Sequence, residues 1–408
     1  MNKNILLITT MYPNPLRPGT PVCHYFAKEW QKMGYNVLVL HYRSMFPPYY
    51  TWAARLFPKL AQRYVGNHVE MDRNMDTQRF EYDGIPVYSI PIFKYIPHHK
   101  YPNRIIRKEI SNIQNLLQNE KFIPDAIIGH FCNPQIILVS KLKTIFPKAK
   151  TCVSFHESDM SCIRNLYPKD YRKIIDSIDY MGFRSEPIKR SFELNYGTGH
   201  NSLLCYSGTS KFFLTHPRSA ERNFTNDKLT KFIYVGQFIR RKYPKVVVQA
   251  LNETYPDKNF KLTYVGKKEI CYAEIQNYIE QRGLSDKVLF TDKIPREEIV
   301  RHYDEAECFI MVSRGEVFGL VYLEAMSRGC ITIASRNEGM EGIIEDSVNG
   351  FLCEAGNKDE LCQIIDNINH LSAQEKKRIS DNGRKTAEML SDFNVAKHYI
   401  ETITGRKD

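Results

Sequence analysis

Two glutamates eight positions apart bracket a glycine-containing turn in the run Ser313-Arg314-Gly315-Glu316-Val317-Phe318-Gly319-Leu320-Val321-Tyr322-Leu323-Glu324-Ala325-Met326-Ser327-Arg328-Gly329. An apolar strand, Cys308–Val312, leads into it, and the residues after Gly319 read as a helix carrying Leu323, Ala325 and Met326. The first amides of a helix lack intrahelical acceptors, so the N–H groups of Gly319, Leu320 and Val321 are expected to face the loop, where a diphosphate fits. Gly319 lets the backbone come close to it. Carboxylates are poor phosphate ligands but good acceptors for sugar hydroxyls, so amides flanked by Glu316 and Glu324 suit a nucleotide sugar. A second cluster adds cations: residues 231–250 hold Lys231, Arg240, Arg241, Lys242 and Lys245 and no acid. That is a local cluster of positive charge in an otherwise near-neutral half. His156 ends the apolar run Thr151–Phe155 and His130 ends the run Ala126–Gly129. At the carboxyl end of a parallel strand a side chain points towards the ligand crevice, although a lone histidine there also serves as a packing residue.

Such residues need a scaffold. At 408 residues the chain exceeds one ordinary core, and two domains of roughly 150–200 residues are expected. Asn4–Thr9, a helix from about Pro21 to Met33 closed by Gly34, and Val37–Leu40 make a βαβ unit with continuous apolar strands, as in a parallel sheet covered on both faces. The rhythm returns at 126–129, 134–145 and 151–155. It returns again with Phe232–Val235, Leu262–Val265, Val288–Phe290 and Cys308–Val312. The expected organisation is therefore α/β, with two doubly wound Rossmann-like domains, 1–206 and 207–385, facing across a cleft. Residues 386–408 are expected to form a C-terminal helix packing back on the first domain. Residues 44–110, rich in Tyr, Phe, Pro, Arg and Lys, break the rhythm and read as a basic, aromatic excursion, either a packing layer or a surface for an anionic, partly greasy partner.

Hydrophobic residues at 42% and charged residues at 25% exclude disordered, collagen-like and coiled-coil chains. The formal charge of +11 lies in the first half: residues 1–220 hold 29 Lys+Arg against 16 Asp+Glu, residues 221–408 hold 28 against 30. Such a balance fits nucleic acid, an anionic membrane or a phosphorylated small molecule. Ten scattered cysteines show neither zinc spacing nor a disulfide framework. With no signal-peptide core and no long apolar run, the expected location is cytoplasmic, free or peripheral on the inner face of the membrane.

The run from Ser313 to Gly329, with Ser313, Glu316, Phe318-Gly319-Leu320, Glu324-Ala325 and Gly329 in register, resembles the Glu-x7-Glu signature of the retaining nucleotide-sugar glycosyltransferases of family 4 (glycosyl transferases group 1), which have the two-domain GT-B fold. Tyr234-Val235-Gly236-Gln237-Phe238-Ile239-Arg240-Arg241-Lys242 resembles that family's diphosphate loop. Lys242 matches its lysine, while Gln237 stands in place of its arginine, so either Arg240 or Arg241 replaces it or the phosphate is held differently. The Pro-rich stretch 13–20 resembles the loop after the first strand, with Gly19 beside the transferred sugar. His156 matches a histidine near donor sugar and acceptor, His130 more weakly, and Ser207-Gly208-Thr209 occupies the linker.

The resemblance implies Glu316, His156 and Lys242 as catalytic residues. It implies Gly19, Gly236, Arg240, Arg241, Lys242, Glu316, Phe318, Gly319, Leu320, Val321 and Glu324 as donor-binding, with Glu324 on the ribose and Glu341 near the nucleotide or sugar. No Asp-x-Asp triplet occurs, so no metal and no further cofactor is expected. The implied activity is retaining transfer of a sugar from a nucleotide diphosphate, UDP- or GDP-linked, to a glycan or lipid-linked acceptor in bacterial surface polysaccharide or lipopolysaccharide synthesis. Its partners would be the donor, the acceptor and an anionic inner-membrane surface, with no nucleic acid. A nucleotide-sugar epimerase or phosphorylase on the same scaffold, or a non-catalytic nucleotide-sugar-binding protein, is the alternative. A nicotinamide oxidoreductase is disfavoured because no Gly-x-Gly-x-x-Gly follows a strand.

Overall fold

A computed structural model describes residues 3–14, 21–57, 75–156, 159–160, 162–217 and 222–405. Gly19 lies outside the described residues. The chain divides into two compact units, one of Met1–Arg184, Ile188–Cys205 and Ala396–Asp408, the other of Ser185–Pro187 and Tyr206–Val395.

The first unit runs β1 (Asn4–Thr9), α1 (Val22–Lys32), β2 (Asn36–Met45), α2 (Pro48–Leu56), β3 (Gln78–Tyr82), β4 (Ile85–Phe93), α3 (Asn103–Asn119), β5 (Ala126–His130), α4 (Gln135–Ile145), β6 (Lys150–Phe155), α5 (Cys162–Leu166), α6 (Tyr171–Asp176), β7 (Tyr180–Phe183), α7 (Glu186–Tyr196) and β8 (Ser202–Leu204). The strands form one sheet in the order β3-β4-β2-β1-β5-β6-β7-β8, parallel except for the β3–β4 pair. Central β1 buries Ile5, Leu6, Leu7 and Ile8 completely, which is why its sequence is continuous rather than alternating. Helix α1 packs on β2 and β4 and buries Cys23, Phe26, Ala27 and Trp30, a stripe at helical spacing.

The expected excursion over 44–110 is corrected: its middle is part of the sheet. Strand β4 pairs with β2 in parallel from Val39↔Val87 to Met45↔Phe93, and β3 is the antiparallel edge. Pro86 and Pro91 each sit where β4 has one neighbour: Pro86 faces β3 before the β2 pairing starts, and Pro91 faces β2 after the β3 pairing ends. A proline without an N–H is tolerated where one side of the ladder is open.

The second unit follows as α8 (Lys211–Thr215), β9 (Lys231–Val235), α9 (Pro244–Thr254), β10 (Lys261–Val265), α10 (Tyr272–Gln281), β11 (Val288–Thr291), α11 (Ile299–Glu305), β12 (Cys308–Ile310), α12 (Leu320–Ser327), β13 (Ile331–Ser335), β14 (Phe351–Cys353), α13 (Lys358–His370) and α14 (Ala373–Met389). Its six strands are all parallel, in the order β11-β10-β9-β12-β13-β14. Helix α12 is buried from Tyr322 to Ser327, because α14 packs over the side turned away from the sheet. A helix enclosed in this way has no polar stripe. Helix α14 starts on a capping box, Ser372 with Glu375. The last helix, α15 (Asp392–Thr404), carries Tyr399, Ile400 and Ile403 into the core of the first unit, where the Trp30 indole N–H donates to the Ala396 carbonyl at 2.8 Å. Among the described residues no helix is long and apolar enough to cross a membrane.

Candidate active site

After β12 the chain stays buried through Met311, Val312 and Ser313, then turns outward. Two glycines in left-handed conformations shape the turn, Gly315 with φ 68° and Gly319 with φ 87°. At Gly319 space is restricted as well, since a Cβ there would lie 2.5 Å from Cδ2 of Tyr322. That tyrosine is fixed: its hydroxyl donates to the Met311 carbonyl at 2.8 Å and lies 3.2 Å from Ser313 Oγ. The Tyr322 N–H bonds back to the Gly319 carbonyl at 3.1 Å, closing the first turn of α12. Among the described residues the N–H groups of Gly319, Leu320 and Val321 have no backbone acceptor. Phe318 contributes backbone rather than ring to the loop, its side chain being buried beside Tyr206.

The basic turn arrives from β9. Gly236 and Gly266 end neighbouring strands, and a Cβ on Gly266 would stand 2.7 Å from the carbonyl carbon of Gly236. Arg240–Lys242 then form one turn of 3-10 helix, and Tyr243 takes the left-handed conformation before Pro244 opens α9. Lys242 Nζ lies 3.2 Å from Glu316 Oε2, with the two side chains 13% and 16% exposed. Arg241 crosses to the same loop: its guanidinium donates to the carbonyls of Arg314 at 3.3 Å and Gly315 at 3.1 Å and lies 4.0 Å from Glu316. The Arg314 N–H returns a bond to the Arg241 carbonyl at 2.7 Å. Of the two candidates for the missing arginine, both exposed, Arg241 is the one that reaches the Glu316 loop.

Glu324 is not part of that cluster. It is buried, with Oε1 accepting from Arg296 Nε at 2.8 Å and Oε2 from the Tyr303 hydroxyl at 3.3 Å. Burial raises its carboxyl above the usual range, and Arg296 and Tyr303 oppose that. Neither partner was named from sequence, because Arg296 lies in the loop after β11 and Tyr303 on α11, with no spacing that links them to Glu324. Glu338 was also missed; its carboxylate accepts the Glu316 N–H at 2.8 Å. The loop after β13 is held close by Gly339, where a Cβ would be 2.5 Å from Cα of Phe318. Glu341 closes its own turn by accepting the Asn337 N–H at 2.9 Å.

His156 belongs to the first unit, just beyond β6. Its ring stacks on Phe131 at 3.9 Å and 14°, and Phe131 follows β5 with φ 72°. Asp159 ties the two strand ends together, one carboxylate oxygen accepting the His156 N–H at 2.9 Å and the other the Cys132 N–H at 3.2 Å. Burial, then the charge of Arg184, holds His156 far below the ordinary histidine range, so its imidazole is neutral. His130 is fully buried against Phe26 and Tyr399, whose hydroxyl is 3.3 Å from its Nε2, which makes it a packing residue. Among the described residues no three His, Cys, Asp or Glu side chains gather as metal ligands.

Residues 216–386 match the family described as glycosyl transferases group 1. An uncharacterised glycosyltransferase of Methanocaldococcus jannaschii is 24% identical over 353 residues, 82% of this chain and 93% of that protein. Among solved structures, sucrose-phosphate synthase from Thermosynechococcus elongatus superposes with a TM-score of 0.67 at 18% identity, covering 98% of both chains. Anabaena HepE in complex with UDP does so with a TM-score of 0.65 at 15% identity, covering 99% of this chain and 100% of that one. These likenesses and the two parallel-sheet units identify the fold as GT-B.

Proposed function

From the premise that this chain is a glycosyltransferase with a glycosyl transferases group 1 domain at residues 216–386, we propose that it moves a sugar from a nucleotide diphosphate to a hydroxyl of a glycan or lipid-linked acceptor, with retention at the anomeric carbon, in assembly of a bacterial surface polysaccharide. The observation that carries the donor assignment is the pair Lys242–Glu316, a cation and a carboxylate from two separate loops set 3.2 Å apart beside the start of α12. Without donor each neutralises the other. With donor, Lys242 and Arg241 turn to the diphosphate, the amides of Gly319, Leu320 and Val321 take phosphate oxygens, and Glu316 accepts from sugar hydroxyls. Glu324 serves the ribose with Oε2, which also accepts from the Tyr303 hydroxyl, while Arg296 retains Oε1. UDP in the Anabaena relative supports a uridine donor.

In the first unit, His156 offers a neutral imidazole to the sugar or acceptor. Retention then proceeds on one face of the sugar: the bond from the anomeric carbon to the diphosphate oxygen breaks, the acceptor oxygen bonds to that carbon, and the acceptor proton passes to the departing diphosphate. Charge on the leaving group is met by Lys242, Arg241 and backbone amides, so transfer requires no divalent metal.

The test is incubation with a panel of nucleotide sugars and hydroxyl acceptors, with the product's anomeric configuration read by NMR. Retained configuration, turnover unaffected by EDTA and loss of transfer in a folded Glu316→Ala variant are expected. Donor consumed with no acceptor, or with free phosphate as acceptor, would establish an epimerase or phosphorylase instead.

A further inference from the structure

Helix α2 turns an apolar face outward. Tyr49, Trp52 and Leu56, spaced three and four residues apart on one side, and Phe57 just beyond are each more than half exposed, Trp52 at 62%. Tyr95 and Ile96 are also exposed, in the segment that follows β4. Both patches leave the same edge of the sheet: β2 and β4 are parallel neighbours, α2 begins at Pro48 just after β2 ends at Met45, and the Lys94 N–H donates to the Met45 carbonyl at 2.8 Å.

The chain through the second patch is basic, and an exposed acid at this end of the sheet is Asp76, whose carbonyl accepts from Arg43 at 3.4 Å. From Gly84 to Lys108 the sequence carries Lys94, Lys100, Arg104, Arg107 and Lys108 and no acid, and all but Lys94 are exposed, as is Arg55 on α2. The basic segment is anchored to the rim that bears His156. Its Tyr101 hydroxyl lies 2.8 Å from Ser44 Oγ, and its His99 carbonyl accepts from Asn133 Nδ2 at 3.1 Å, two residues beyond the Phe131 ring that stacks on His156.

We infer that this rim is a docking surface for an anionic lipid bilayer, with the α2 aromatics seated among the headgroups, and that the acceptor is presented from that surface. Tryptophan and tyrosine favour the membrane interface, exposed apolar patches flanked by basic side chains bind anionic leaflets, and an apolar face of this kind is unusual on a surface facing only water. A second copy of this chain is disfavoured as the occupant, since a two-fold contact through the rim would bring the same cations together. The acceptor clause rests on the proposed transfer reaction. Docking itself does not, because it needs neither donor nor acceptor.

The protein carries its own reporter. Of its two tryptophans, Trp30 is fully buried and Trp52 is exposed. With vesicles of phosphatidylcholine plus phosphatidylglycerol at low salt, the full-length protein should co-sediment, shift its tryptophan emission to the blue and be quenched by brominated lipid; pure phosphatidylcholine should do little. Trp52→Phe should remove the shift while binding persists. Trp52→Ser with Leu56→Ser should weaken binding by about tenfold or more, and Arg104→Glu with Arg107→Glu should abolish the preference for anionic lipid. The side chains are exposed, so all variants should keep the wild-type melting temperature and activity on a soluble acceptor. Unchanged Trp52 emission with anionic vesicles, equal binding by the Ser variants, or burial of Trp52 in a dimer or by a protein partner without vesicle binding would overturn the inference. A protein that docks but transfers no sugar would instead remove the reaction and leave the surface standing.

Discussion

The pairing of Lys242 with Glu316 can be tested as a thermodynamic cycle using Lys242→Met, Glu316→Gln and the double variant. At 3.2 Å and an effective dielectric of about 20, the Coulomb attraction is roughly 5 kcal/mol before desolvation is counted. Both side chains are mostly buried, so holding two ions out of water takes back several kcal/mol, and a net coupling of about 1–2 kcal/mol is expected. Lys242→Met alone leaves Glu316 with only Arg241 at 4.0 Å, and should cost about 2–3 kcal/mol. The methionine keeps the apolar stem that packs against Gly236, so little of that loss should come from packing. Urea unfolding of the four proteins gives the coupling from midpoints at constant slope. High salt should reduce it modestly, because the pair is largely shielded from solvent. In transfer assays Lys242→Met should lower kcat by about a hundredfold, the loss of one preorganised charge at a departing diphosphate. A coupling below about 0.3 kcal/mol, the limit of additivity for independent sites, would refute the pairing.

Gly319→Ala should destabilise by about 2–4 kcal/mol, from a left-handed backbone and a displaced Tyr322 ring together, read as a lower melting temperature. Arg296→Met should cost about 2–4 kcal/mol by leaving buried Glu324 with Tyr303 alone, and Arg296→Met with Glu324→Leu should recover much of it. Acid should weaken the first unit: burial holds His41 at about 4 and His130 at about 3, below the ordinary 6.5, so the unfolded chain binds more protons once pH drops below that value. Stability from each is complete above pH 6.5 and falls towards the folded value, about 2 kcal/mol per histidine between pH 7 and pH 5. Asp159, raised by burial to about 6 from 3.8, has the opposite sign and offsets roughly 1 kcal/mol over the same interval. His156, held below the ordinary range by burial and then Arg184, adds to the acid loss with the same sign as His41 and His130; denaturant midpoints at pH 7, 6 and 5 measure the sum, and in His130→Phe the slope should flatten by up to one proton.

What could be read from sequence was what is local. The continuous apolar strands β1, β5, β6, β9 and β10 announce a sheet covered on both faces, and Gly319 announces the start of α12 because both its conformation and its spacing lie within a few residues. Residues 44–110 misled for a physical reason. Pro86 and Pro91 are loop residues in most contexts, and only the staggered pairing of β4 with β3 and then β2 leaves each a free side. The partners of the acids were equally hidden. Glu316 meets Glu338, and Glu324 meets Arg296 and Tyr303, across separations that only a folded sheet closes; Lys242 was brought to Glu316 by the resemblance alone. Exposure was hidden too: Trp30 and Trp52 both sit in aromatic helical sequence, and only packing distinguishes the core residue from the one facing out.

Helix α12 is enclosed by sheet and by α14, while Gln237 and Arg240 in the facing loop stand in the open. The two walls of the candidate donor site are therefore unequal substrates for change. Substitution along 322–327 alters a packed interior, so selection or design for a new donor there would be repeatedly checked by loss of folding. Substitution at Gln237 or Arg240 changes an exposed side chain. Diversification of donor preference among chains built on this plan should concentrate in the loop after β9, and a library confined to positions 237 and 240 should return more folded, altered-preference variants than one of equal size on α12.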